Sequence, residues 1–154
     1  MSRRAIAVVV LGVLAVSACG GDASYPTEAM NKRNEITALW TQIRDWRRED
    51  KIGLDPLQQD VFLLRDRPVP KRVCEATPQV PRACDDTCNL SDAICDNAER
   101  ICIIAGELGP SDDWAHEKCA SAKASCKEAQ QHCCECGKSA SRAGSSSDSL
   151  EFQF

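Results

Sequence analysis

The fold is decided by two runs, CDDTCNLSDAICDNAERIC from Cys84 to Cys102 and CASAKASCKEAQQHCCEC from Cys119 to Cys136. Cysteines recur at 88, 95 and 102 in the first run and at 119, 126 and 133 in the second. A step of seven is two helical turns, so each triplet lines one stripe of a helix. Paired antiparallel, Cys102 with Cys119, Cys95 with Cys126 and Cys88 with Cys133, the numbers of each pair add to the same total, 221. The midpoint falls between Pro110 and Ser111, inside the Gly109-Pro110 turn signal. The arithmetic predicts an antiparallel helical hairpin laddered by disulfides. Ser91, Ala98 and Ala105 lie three residues after the first set of cysteines, and Ala115, Ala122 and Ala129 hold the matching places on the second helix. Small side chains there let two helices approach closely enough for cysteines to bridge.

Besides Cys19, four further cysteines lie outside the three rungs. Cys84 and Cys136 sit on the alanine side of their helices and extend the ladder by one rung. Cys134 lies about 100° round the helix from Cys133, and a bond between these neighbours would strain the peptide joining them. That leaves Cys74 for Cys134; the alternative links Cys74 to Cys136.

The 154 residues carry 11 cysteines, a formal charge of −4 and only 5% aromatic residues. Such a chain has room for one domain with a small aliphatic core that needs staples. A cysteine content this high points to an oxidising compartment or to bound metal. No basic excess suggests nucleic acid as a partner.

Upstream, Arg3 and Arg4 precede an apolar run from Ala5 to Val16, too short to span a bilayer and suited to a signal peptide. The run ends Val16-Ser17-Ala18-Cys19, which resembles the lipobox of bacterial lipoproteins. The resemblance implies cleavage before Cys19, acylation of that cysteine and anchoring to membrane lipid. Residue 20 is glycine rather than aspartate, which in that family favours the outer membrane. With Cys19 acylated, ten cysteines remain, the even number that a fully oxidised framework requires.

The organisation expected is a signal peptide over 1–18, a lipidated tether over 19–27, a helical disulfide-stapled domain over 28–136 and a disordered tail over 137–154. Ile36, Leu39, Trp40, Ile43 and Trp46 follow helical spacing up to Gly53 and supply a cover for the apolar face Leu90, Ile94, Ile101, Ile104 and Leu108. Asp55-Pro56 opens a short helix carrying Leu57, Val61, Phe62 and Leu64. Residues 65–82 hold four prolines and a net charge of +3, a strap suited to lie along a hairpin of net −7. Ser111, before Asp112 and Asp113, reads as the cap of the second helix and Gly137 as its end. Lys118, Lys123, Lys127 and Glu128 read as that helix's solvated exterior.

The fold class is therefore all-α, a disulfide-laddered antiparallel hairpin packed with one or two N-terminal helices. His116 and His132 have no nucleophile beside them in the pattern, and no enzyme is expected. The dense run His132-Cys133-Cys134-Glu135-Cys136 also suits thiolate binding of Cu(I) or Zn²⁺. Cysteine-lined helices are similar to bacterial copper-storage proteins, although only Cys84 and Cys88 have that family's spacing. The whole pattern resembles uncharacterised cysteine-rich bacterial lipoproteins over residues 1–19 and 84–136. It implies a lipid-anchored envelope protein acting as a structural or interaction module, with an envelope protein as a possible partner and no cofactor. The alternative is a metal-binding or storage protein.

Overall fold

The computed structural model describes residues 27–71 and 82–147. The expected signal peptide, Cys19, the expected tether to residue 26, Cys74 and residues 148–154 lie outside the described residues. The chain forms α1 (Thr27–Glu49), α2 (Gln58–Leu64), a 3₁₀ turn (Arg82–Cys84), α3 (Asp85–Leu108) and α4 (Asp113–Ser147). Among the described residues there are no strands, and no helix is long and apolar enough to cross a membrane. The class is all-α.

The antiparallel pair α3 and α4 forms the centre. Asp85 and Asp86 place negative charge in the first turn of α3, where the helix dipole favours it. Gly109, at φ 91°, terminates that helix in a conformation that suits glycine. The Asp112 amide then donates to the Gly109 carbonyl, closing the turn at 3.2 Å. The cap of α4 is Asp112, not Ser111. Its Oδ1 accepts from the Ala115 amide at 3.1 Å, and its carbonyl accepts from the His116 amide. An aspartate at that place supplies the same acceptor as serine and adds a charge that α1 uses, as described below.

On the seam between α3 and α4, Ser91, Ala98, Ala105, Ala115, Ala122 and Ala129 are all buried. The helix α1 lies across this seam. Ile36 and Ile43 share one core with Ile94, Ile101 and Ile104, and Leu39, Trp40 and Trp46 pack against its edge. Each fully buried isoleucine contributes roughly 1.5–3 kcal/mol relative to exposure, so this cluster supplies most of the apolar stabilisation. The tryptophans therefore serve as packing against the hairpin.

Two helix ends differ from expectation. First, α1 stops at Glu49, before Gly53. Lys51 takes the left-handed conformation at φ 61°, and the Ile52 amide donates to the Arg47 carbonyl while the Lys51 amide donates to that of Arg48. This is the Schellman pattern, with lysine where glycine is usual. Second, α4 does not end at Gly137 but continues to Ser147, so the expected disordered tail from residue 137 is in part helix. One interior glycine costs about 1 kcal/mol and does not break a helix. No proline follows it, and the Cys84–Cys136 bond fixes the turn just before it.

The second face of α4 is the larger departure. Ala120 and Ala124 are fully buried and pack with Val61 of α2. Lys123 beside them is buried, not solvated. Beyond α2, Val69 packs against the main core, and the Pro70 carbonyl accepts from Gln130 Nε2 at 3.3 Å. The described part of the proline-rich strap thus lies along the hairpin. As a result, α4 is enclosed by α3 and α1 on one side and by α2 with the strap on the other.

Candidate functional site

Four disulfides run the length of the hairpin: Cys102–Cys119, Cys95–Cys126, Cys88–Cys133 and Cys84–Cys136. Cα separations in the first three are 4.7, 4.6 and 4.8 Å. Since Cα atoms sit about 2.3 Å from a helix axis, such gaps hold the axes at most about 9 Å apart. Leucines between the rungs would push the helices wider, whereas the buried alanines do not. The outermost pair is looser at 5.9 Å, because Cys84 lies in the 3₁₀ turn rather than on α3 itself. Cys134 is also disulfide-bonded, and its partner lies outside the described residues, as does the expected Cys74. All nine described cysteines are oxidised.

A buried ionic cluster ties the N-terminal half to α4. Arg47 of α1 is fully buried. Its Nε donates to the Gly53 carbonyl at 3.0 Å, and one terminal nitrogen donates to the Asp55 carbonyl at 3.1 Å and to Glu128 Oε2 at 2.7 Å. The second Glu128 oxygen accepts from the Leu57 amide at 2.8 Å. One guanidinium and one carboxylate therefore shape the whole connection from α1 to α2. Next to them, His132 Nδ1 pairs with Asp50 Oδ2 at 2.9 Å, and Lys127 donates to Asp60 Oδ1 at 2.8 Å.

Lys123 completes the row on α4. Its Nζ donates to the Leu64 and Arg65 carbonyls, capping the C-terminus of α2 from another helix. Burial pushes its pKa below the usual lysine value, and the charge of Asp66 opposes that shift. Positions 120, 123, 124, 127 and 128 fall at helical spacing on one face. Lysine and glutamate in such a face read as solvent-exposed in isolation. Their partners lie about 60–80 residues away in sequence, so no local pattern announces the burial.

At the hairpin turn, Arg33 forks onto both oxygens of Asp112, each at 2.9 Å. Together with the Ala115 amide, these bonds hold the Asp112 carboxyl below the usual carboxylate range against the opposing effect of burial. Arg33 also stands 5.5 Å from the Trp114 ring, a cation–π contact that orients the fork. His116 pairs with the Gly109 carbonyl at 3.1 Å.

Neither histidine has a serine, threonine or free thiol within its described hydrogen bonds. A cleft of about 310 Å³ opens beside the buried cluster, lined in part by Asp55, Glu128, His132 and Glu135. Among the described residues, no three or more such side chains are arranged to hold a metal ion. Glu128 is committed to Arg47 and His132 to Asp50, so what these groups do is hold helices together. Compared with models of known protein families, with curated proteins and with solved structures, the chain matches none.

Proposed function

We propose that the chain is a lipoprotein of the cell envelope, anchored through an acylated Cys19 and acting as a rigid structural or interaction module rather than as an enzyme. One observation carries this reading: every described cysteine is oxidised, eight of them in a ladder along one hairpin. Such bonds form and persist outside the reducing cytoplasm. That agrees with the export signal and lipobox read at residues 1–19. A Cu(I) or Zn²⁺ store needs thiolates, and sulfurs spent in disulfides offer none. The oxidation state therefore weighs against the metal-binding alternative.

The test is a thiol count and a metal analysis on protein purified from the envelope without reductant. The expected result is no titratable thiol and negligible copper or zinc. Several free thiols together with bound metal would replace the scaffold reading with the metal one. Anchoring is tested separately, with Cys19→Ala expected to leave unprocessed precursor or to lose partition into detergent. A normally processed, membrane-partitioning variant would refute the lipid anchor.

A further inference from the structure

The helix α2 has two opposite faces. With residues stepping about 100° round the axis, Asp60, Val61 and Leu64 share the side turned to α4, where Asp60 and Val61 are buried. Phe62 falls on the opposite side and Leu63 on the flank, and they are 77% and 59% exposed. Leu57, just before the helix, is 57% exposed. Phe62 is the most exposed large apolar side chain among the described residues. Apolar groups left out in this way mark an interaction surface.

The flanking charge says what surface it fits. Arg65, Arg67 and Lys71 follow directly and are all exposed, with only Asp66 of opposite sign among them. Asp60, the other acid of this stretch, is buried and paired with Lys127. The hairpin behind is strongly acidic, at net −7 over residues 83–136. A protruding aromatic and leucine beside three cations, on an otherwise acidic body, suit an anionic lipid surface.

We infer that the outer face of α2, with Phe62, Leu63, Arg65, Arg67 and Lys71, is a membrane-docking patch that seats the domain against anionic lipid headgroups. This deepens the envelope reading and rests on it. Eight residue steps separate Cys19 from Thr27, a reach of at most about 28 Å. So short a tether holds the patch at high effective concentration beside the bilayer. The acidic hairpin is repelled by the same surface, so charge alone orients the molecule with α2 down.

Hydrogen exchange on the full-length lipidated protein tests this, comparing phosphatidylglycerol-rich vesicles, phosphatidylcholine vesicles and detergent micelles. Exchange over residues 57–71 is expected to slow by about tenfold or more on the anionic vesicles alone. The slowing should vanish in Phe62→Ser/Leu63→Ser and shrink in Arg65→Gln/Arg67→Gln/Lys71→Gln or at raised salt. Both variants should keep wild-type helicity and detergent partition. Equal exchange in all three media overturns the patch while leaving the anchor intact. Protection already present in micelles also overturns it: concentration-dependent protection would assign the face to a second copy, concentration-independent protection to another segment of this chain. If the protein proves unanchored, cosedimentation of the same chain with the anionic vesicles supports the patch, and its absence refutes it.

Discussion

Arg47 is the residue on which the N-terminal half depends. It is fully buried and spans from α1 to Glu128 on α4, and both partners also hold backbone of the connecting loop. Removing one member of such a pair strands a buried charge. Arg47→Met is therefore expected to cost about 3–5 kcal/mol in chemical denaturation. The double change Arg47→Met/Glu128→Leu is expected to cost less than the single one. Asp112 offers a pH-dependent counterpart. Its folded pKa is depressed chiefly by Arg33, so its contribution is fully present above the unfolded value near 3.9 and is lost as pH falls through the lower folded value. Asp112→Ala should cost about 1–2 kcal/mol at neutral pH. That difference should shrink when the two proteins are compared in strong acid. None of this pairing was legible beforehand, since an arginine amid eight charged residues of α1 carries no mark of burial. The sequence pattern places the cap at Ser111, one residue before Asp112, which takes that role.

At the scale of elements, the ladder was legible and the surroundings only in part. Periodic cysteines obey integer arithmetic that a helix converts directly into geometry, and the apolar faces of α1 and α3 follow the same period. The buried face of α4 escaped, because Lys123, Lys127 and Glu128 look solvated until α2 and the loop arrive to meet them. The ends of α1 and α4 were hidden for a different reason, since glycine marks where a chain is able to turn and not where it must. Lys51 bears the left-handed turn while Gly53 follows two places on. Lys51→Gly should therefore stabilise the protein by about 1 kcal/mol, read as a rise in melting temperature. The rungs share their work. The innermost closes a loop with a sequence separation of 17, worth roughly 3 kcal/mol in the chain-entropy account if it stood alone. With its neighbours intact it constrains far less. Cys102→Ser/Cys119→Ser should keep nearly full helicity by circular dichroism.

For the molecule as a whole, the core is one main aliphatic cluster and a small one under α2, with alanines that bury little area each, so the sulfur bonds carry a large share of the stability. Full reduction is expected to remove most of the helical signal, and reoxidation under mild conditions to restore it. A reduced chain that stayed helical would mean that packing alone suffices. The same bonds also decide how the domain answers tension. Pulled between Thr27 and Ser147, as between a membrane and a bound partner, the chain carries load past the hairpin through the Cys134 bond and Cys84–Cys136, and the residues of the latter lie 52 apart in sequence. The segment between them is mechanically shunted and never pays out, which withholds roughly 180 Å of extended chain. Stretching should thus strip away α1 and α2 and then meet a stop, with the hairpin left slack and folded behind it.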